Sequence, residues 1–160
     1  MADLVVTITE SVTLNGTARG SSNALTIAGV DDIYHRIITC PDDVPVTVAT
    51  FHATTGASDS SLDVENVKYI RITNLEASNP VIIDLQIDPA ENDSAAADQG
   101  ALLLEAGKSF IMGSPSDGIV VNSAAATPIT ALSSLVNLES IIIDPLSEAC
   151  KVEVFIASVV

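Results

Sequence analysis

Basic and aromatic residues are scarce in this sequence. The 160 residues include six lysines and arginines against 21 aspartates and glutamates, which gives a formal net charge of −15. The aromatic share is 3%, and tryptophan is absent. Nucleic-acid affinity depends mainly on clustered basic residues that neutralise phosphates, and single strands are also held by stacked aromatic rings. An anionic membrane surface repels an acidic chain. The composition therefore predicts neither a nucleic-acid partner nor a membrane partner.

Long apolar runs and cysteines are also few. No segment approaches the roughly 18 consecutive apolar residues of a membrane-spanning helix, and the start MADLVVTITE lacks the basic-then-apolar pattern of a secretory signal. The two cysteines, Cys40 and Cys150, form neither a metal-binding motif nor a disulfide framework. We expect two half-buried thiols rather than a disulfide, because nothing indicates an oxidising compartment. Their spacing leaves open whether they meet in the fold.

Apolar residues recur with a period of two along most of the chain. In VIIDLQID, the residues Val81, Ile83, Leu85 and Ile87 share one face, and polar residues occupy the other. This alternation is typical of a half-buried strand. Similar alternation occurs in DLVVTITESVTL, VPVTVATF, KYIRIT and KVEVFIAS, with turn-forming residues between the segments. The pattern predicts an all-β fold of about ten short strands, an antiparallel β-sandwich that forms a single domain over residues 1–160.

The segment LLLEAGKSFI contains the glycine, lysine and serine with which a phosphate-binding loop ends. Such a loop requires another glycine five positions before Gly107, and Leu102 stands there. We therefore predict a β-hairpin, with strands Leu102–Glu105 and Lys108–Met112 joined by a turn at Ala106-Gly107. Gly107 is expected to have the positive φ that such turns require.

Candidate chemistry is sparse, and no catalytic residue or cofactor is predicted. His35 and His52 lie on different predicted strands without a surrounding motif, so structural roles are favoured. The weak metal candidates are Asp88, Glu91, Asp93 and Asp98, oxygen ligands in an acidic loop that could hold Ca²⁺. Solvated surface acids are the favoured interpretation of this loop. The segment TPITALSSLVNLES is predicted to form either a short helix or a packed loop.

Some strands carry apolar residues on the face opposite their core set. Phe51, Ile142 and Phe155 are the clearest cases, and a monomeric sandwich would leave some of them in contact with water. Contiguous exposed apolar patches usually mark interfaces. We therefore predict that these residues lie at an interface between copies of the chain.

Two segments, VKYIRITNLEASNPVIIDLQI and LLLEAGKSFIMGS, resemble small β-sandwich virion proteins of tailed phages, especially marine cyanophages. The shared features are a strand ending in RITN, a short turn with asparagine and proline, an alternating strand and the LEAGKSF segment. The resemblance implies a jelly-roll-like structural protein on a capsid or tail, and a homotrimer. It carries over no catalytic residue.

The leading hypothesis is a non-enzymatic virion protein that decorates or cements the capsid and self-associates on the capsid lattice. A first alternative is a tail or fibre module that contacts a host receptor, for which an exposed aromatic cluster in a loop would be expected. A second alternative is an enzyme on a trimeric β-sandwich, such as a nucleotide hydrolase, which would require Asp, Ser and Arg to converge at a subunit cleft.

Overall fold

The computed structural model describes residues 1–52, 61–87, 98–119 and 135–160, and these contain thirteen strands and no helix. The strands are β1 (Ala2–Thr9), β2 (Val12–Leu14), β3 (Thr17–Arg19), β4 (Ser22–Val30), β5 (Asp32–Cys40), β6 (Val46–His52), β7 (Leu62–Asp63), β8 (Val67–Asn74), β9 (Val81–Ile87), β10 (Asp98–Leu104), β11 (Ser109–Met112), β12 (Leu138–Asp144) and β13 (Cys150–Ser158). The all-β prediction is confirmed, with more strands than the ten expected. No helix in these ranges is long and apolar enough to cross a membrane.

Two sheets form the body of the protein. The five-stranded sheet has the order β10-β9-β12-β6-β7, and the four-stranded sheet has the order β11-β8-β13-β5. The antiparallel pairs are nested, because β5 pairs with β13, β6 with β12, β8 with β11 and β9 with β10. The chain is thus one long antiparallel hairpin, rolled up so that its successive pairs alternate between sheets. This topology is a jelly roll, and the predicted antiparallel sandwich is confirmed.

The core lies between the two sheets and is built from alternate residues of each strand. In β9 the predicted set of Val81, Ile83, Leu85 and Ile87 is buried, while the residues between them are partly exposed. The four-stranded sheet contributes Ile70, Ile72, Val152, Val154 and Ile156, all with no exposed surface. Burying such aliphatic side chains stabilises the fold by roughly 1.5–3 kcal/mol each. Alternation in the sequence therefore identified the inward face of these strands correctly.

A β-bulge changes the prediction for Phe51. The register of β6 against β12 shifts between Ile141 and Ile142, which pair with Ala49 and Thr47. Val48 and Ala49 are consequently both buried. After them the buried residues fall on odd rather than even positions, so Phe51 rather than Thr50 is buried. Phe51 therefore points into the core and is only 3% exposed. The prediction that it lies on an outward interface face is wrong, because one inserted residue reverses the side of every residue that follows it.

The segment around Gly107 is a turn, but it does not close a hairpin. The N–H of Lys108 donates to the carbonyl of Glu105 at 3.1 Å, and Gly107 has a φ of +69°. This combination defines a type II turn and confirms the predicted positive φ. However, β10 pairs with β9 and β11 pairs with β8, in different sheets. The predicted pairing of the two flanking strands is wrong, and the turn is a corner between sheets.

The segment predicted as a short helix or packed loop falls partly outside the described residues, which omit 120–134. In its described part, Val136 forms an isolated antiparallel bridge with Ile119, and Leu138 begins β12. The helical alternative is therefore wrong for Val136 to Ser140. Pairing with β9 and β6 on both sides of β12 fixes the extended conformation there.

Candidate interaction surfaces

The first thirty residues form a long β-hairpin outside both sheets. β1 pairs with β4 and β2 pairs with β3, and the register is constant from Leu4, which faces Ile27, to Leu14, which faces Thr17. The hydrogen bond from the Glu10 N–H to the Ser21 carbonyl bridges the two ladders at 2.8 Å. Asn15 and Gly16, with φ of 50° and 76°, close the hairpin in a type I′ turn. We call residues 4–27 the N-terminal hairpin; at about 3.4 Å per residue it is roughly 35 Å long.

The base of the N-terminal hairpin packs against the body. Leu4, Val6 and Ile27 pack against a buried cluster of Val30, Tyr69 and Ala157, against which Phe155 and Val159 also pack. Tyr69, Phe155 and Ala157 belong to β8 and β13 but alternate with the core residues of those strands, so they face outward. The hairpin base therefore covers one end of the outer face of the four-stranded sheet.

The remainder of the same hairpin face carries exposed aliphatic residues among polar ones. Ile8, Val12 and Leu14 continue the row of Leu4 and Val6, with Glu10 between Ile8 and Val12. Leu25 faces Val6 across the hairpin, and the side chain of Glu10 accepts a hydrogen bond from Ser21 on the facing strand. We call these four exposed residues, Ile8, Val12, Leu14 and Leu25, the distal stripe; their exposed fractions are 49–58%. An isolated two-stranded hairpin is at best marginally stable in water. A row of exposed aliphatic residues on such a hairpin marks a surface suited to a partner.

The outer face of the four-stranded sheet carries an ion-pair cluster around Phe155. The Arg71 Nη1 donates a hydrogen bond to Glu153 Oε2 at 2.8 Å, and His35 Nε2 lies 2.8 Å from Glu153 Oε1. The ring of Phe155 lies between them, 5.6 Å from the His35 ring and 5.9 Å from the guanidinium of Arg71. His35 thus has a partner, whereas His52 ends β6 in the other sheet.

The carboxylate of Glu153 is stabilised in its charged form by its two partners. The hydrogen bond from Arg71, and secondarily that from His35, lowers the pKa of Glu153 below its ordinary value of 4.5. Arg71 and Glu153 are 27% and 22% exposed, so solvent screens the pair only partly. These contacts hold the side chains of Arg71, Glu153 and His35 in fixed positions on the sheet surface. The outward Phe155 and His35 thus belong to one contact network.

The outer face of the five-stranded sheet carries Ile142. This residue is half-buried and alternates with the buried Ile141 and Ile143, as predicted. Asp84 faces Ile142 across the β9–β12 pair. Burial, and secondarily the negative charge of Asp144, raises the pKa of Asp84 above its ordinary value of 3.8. The face is therefore mixed, with aliphatic residues and a partly desolvated carboxylate side by side.

The two cysteines occupy directly opposite positions in β5 and β13. Both are free thiols with almost no exposed surface, so they are more deeply buried than the half-buried state predicted. Burial, with the neighbouring Cys150, raises the pKa of Cys40 to about 12. Burial also raises the pKa of Cys150. Thiols in this state are poor nucleophiles and metal ligands, because both roles require the thiolate.

The acidic loop lies largely outside the described part of the chain. Asp88, Glu91 and Asp93 are not among the described residues, and of Asp98 only the backbone is described, at the start of β10. Elsewhere in the described ranges, no three His, Cys, Asp or Glu side chains come close enough to hold a metal ion. A depression of about 290 Å³ lies beside β6 and β12, and His52 and Glu139 contribute to its lining.

The sequence indicated strand-like alternation from Leu4 to Leu14 but did not predict the N-terminal hairpin. The shared face of Leu4, Val6, Ile8, Val12 and Leu14 follows from alternation. The same pattern occurs in core strands, so alternation alone does not tell that only the first two of these residues contact the body.

Comparison of the chain with protein-family models, with curated proteins and with solved structures finds no match.

Proposed function

We propose that this chain is a non-enzymatic structural protein of a phage virion, a capsid decoration or cement protein that self-associates, as a homotrimer, and docks on the capsid lattice. The observation that carries the proposal is the N-terminal hairpin. It presents exposed aliphatic residues on an otherwise strongly acidic protein, and it extends from a rigid jelly-roll body. Jelly rolls occur in viral capsid proteins, although also in lectins and cupins, so the fold alone supports the proposal only by analogy.

The acidic charge and the apolar surfaces have complementary roles in this proposal. A net charge of −15 keeps free subunits apart and soluble. Repulsion between exposed charges is screened beyond about 8 Å at physiological salt, whereas burial of apolar area contributes roughly 25 cal/mol per Å² at short range. Subunits therefore repel each other weakly at a distance and associate once apolar faces meet. Added salt is expected to strengthen the association.

The arrangement of the aromatic residues favours this proposal over a receptor-binding tail or fibre module. All five aromatic residues, Tyr34, Phe51, Tyr69, Phe110 and Phe155, lie within strands, and each is buried or half-buried. A receptor site built on a cluster of exposed aromatic side chains in a loop therefore has no residues to form it. Docking through aliphatic faces is better matched to lattice contacts between proteins.

The experiment that tests the proposal is analysis of purified particles of the phage that encodes the chain. Mass spectrometry of the particles is expected to find the protein in many copies, and electron cryomicroscopy is expected to place it on the outside of the head. Absence from the particle would overturn the proposal. A parallel assay with nucleoside triphosphates tests the enzyme alternative, since turnover that is lost in Lys108→Ala would replace the structural role with a catalytic one.

A further inference from the structure

The outer face of the four-stranded sheet carries few acidic side chains. Its outward side chains include the bases Arg71 and Lys151 and a single acid, Glu153, in a chain whose net charge is −15. The first thirty residues, which contain the N-terminal hairpin, hold two acids and one base. These two surfaces of two identical chains can therefore approach each other with little electrostatic repulsion.

The same outer face retains exposed aliphatic residues beyond the area that the hairpin base covers. Ile37 on β5 is 65% exposed and Ile111 on β11 is 43% exposed. They lie on the two edge strands of the sheet, which are three strand spacings apart, or roughly 15 Å. The distal stripe extends from Ile8 to Leu14 over roughly 20 Å. A hairpin that crosses the sheet can therefore contact both residues.

Packing of this hairpin face onto this sheet face already occurs within one chain. Leu4, Val6 and Ile27 of the hairpin base pack against a cluster that includes Tyr69 and Ala157 of this face. The distal stripe is the continuation of the same row, and Ile37 and Ile111 belong to the same outer face. The two exposed surfaces are thus extensions of an interface whose chemistry is seen in the fold, and neither is covered by its own chain.

We propose that the distal stripe of one copy packs across the outer face of the four-stranded sheet of a second copy, at Ile37 and Ile111. This inference rests on the proposed self-association and specifies the surfaces that produce it. Each copy donates one hairpin and receives one, so the contact is directional. A closed ring of copies satisfies every hairpin and every sheet face.

Charge substitutions on the two faces of the hairpin test the contact. Val12→Asp with Leu14→Asp places charges in the distal stripe. Thr7→Asp with Thr13→Asp adds the same charges to the opposite face of the same hairpin, as a matched control. Light scattering at micromolar concentration and moderate salt is expected to show an oligomer for the wild type and the control. The stripe variant is expected to associate roughly 100-fold more weakly or not at all, because burying unpaired charges is unfavourable.

Cross-linking between different copies tests the receiving surface. Chains with Leu14→Cys are mixed with chains with Ile37→Cys and oxidised; the native thiols do not compete because Cys40 and Cys150 are buried. A product of twice the 16.5 kDa chain mass that contains both variants is expected. Thr13→Cys, on the opposite hairpin face, is expected to give little product. Ile37→Asp alone is expected to weaken association as the stripe variant does.

The outcomes separate this inference from the proposed function. An oligomer that withstands the stripe substitutions, or one in which Thr13→Cys cross-links as well as Leu14→Cys, overturns the hairpin contact while leaving self-association intact. A wild type that is monomeric at every salt concentration also overturns the contact. The virion role is decided separately, by whether the protein is present in purified particles. If the stripe variant shows altered melting, the test is repeated with a shortened hairpin. Deletion of residues 9–14 and 17–22 removes Val12 and Leu14 from the distal stripe and keeps the Asn15-Gly16 turn.

Discussion

The backbone N–H of Gly107 donates a hydrogen bond of 3.1 Å to the backbone carbonyl of Asn74, which joins the end of β8 to the corner between β10 and β11. The N–H of Asn74 in turn donates to the carbonyl of Lys108 at 3.0 Å. Two segments that are more than thirty residues apart in the sequence, RITN and LEAGKSF, thus meet at one point. The corner is where the chain passes from one sheet to the other.

Gly107→Ala is expected to lower the free energy of unfolding by about 1 kcal/mol. A Cβ at this position would contact nothing within 4 Å, so the cost comes only from holding a non-glycine residue at a φ of +69°. Gly107→Asn is expected to cost less, because asparagine adopts this conformation more readily. Chemical denaturation measures both values. Lys108→Ala, a matched exposed neighbour, is expected to change stability little. Equal losses for alanine and asparagine would contradict the backbone explanation.

Asn74→Ala is expected to cost more, about 3 kcal/mol. The side chain is fully buried and donates to the carbonyls of Asn79 at 2.8 Å and Leu104 at 3.2 Å, while its oxygen accepts from the N–H of Glu76 at 3.0 Å. Alanine leaves these backbone groups, of which the Leu104 carbonyl is buried, without their side-chain partner, at about 1–3 kcal/mol for each group that water does not reach. Thermal and urea unfolding measure the loss. Asn23→Ala, on the exposed hairpin, is the control and should be nearly neutral.

Much of the fold follows from the sequence because alternation reports which face of a strand is buried. The alternation in VIIDLQID and KVEVFIAS predicts half-buried strands, and the burial of alternate residues in β9 and β13 confirms both. Alternation does not report the pairing partner. The segments on either side of Gly107 bury the same alternate residues whether they pair with each other or with β9 and β8, so the hairpin and the corner could not be distinguished.

The interaction surfaces were only partly predictable for a related reason. Phe51 entered the core because of a bulge, and a bulge leaves no mark in the apolar pattern of VPVTVATF. Ile142 and Phe155 do face outward, and their role at an interface stays a prediction. Leu4, Val6, Ile8, Val12 and Leu14 alternate much as in a core strand, yet Ile8, Val12 and Leu14 are exposed. Alternation predicts that a strand has an apolar face. Which surface covers that face depends on the tertiary arrangement, which alternation does not report.

The two cysteines are expected to be unreactive in the native protein. Raising the pKa of Cys40 from 9.0 to about 12 lowers its thiolate fraction at pH 8 roughly 1000-fold, and burial restricts access further. A thiol-specific reagent should therefore label both residues only after denaturation. Native labelling at the rate of the denatured chain would contradict the burial of this pair.

The same thiols are expected to reduce stability in alkali. The pKa of Cys40 is higher in the folded state than in the unfolded state. The stability contributed by the buried, protonated thiol is therefore fully present below about pH 9 and is lost as the pH rises toward 12. The loss of stability between these values should be smaller in a Cys40→Ala, Cys150→Ala variant than in the wild type. Urea unfolding of both proteins as a function of pH measures this. Taking the difference between wild type and variant removes the effect of other groups that titrate in the same range.

Chelation is expected to leave the melting temperature nearly unchanged if the acidic loop that contains Glu91 and Asp93 is only a solvated surface. A metal present at 100 times its Kd would add about 2.7 kcal/mol of stability, which a melting curve resolves readily. Differential scanning calorimetry with calcium and with a chelator is the measurement. A drop of several degrees on chelation would instead assign a metal site to this loop, and Asp93→Asn should then abolish the drop.

Arg71→Met is expected to lower stability at neutral pH by about 1 kcal/mol, a value already reduced for the partial exposure of the pair. The pKa of Glu153 is lowered in the folded state, chiefly by Arg71, so the pair stabilises the fold above the ordinary value of 4.5 and loses its effect as the pH falls through the folded value. The difference between wild type and variant should therefore shrink in acid.

Lys151→Met removes the same charge two residues from Glu153 on the outward side of β13, so it serves as the control for general electrostatics. Its effect at neutral pH should be small, because the ion-pair hydrogen bond to Glu153 comes from Arg71. Unfolding free energies of the three proteins between pH 3 and pH 7 test the assignment. If Arg71→Met and Lys151→Met follow the same curve, the stabilisation arises from net charge rather than from the contact with Glu153. A gap that opens only as Glu153 ionises locates the stabilisation in that contact.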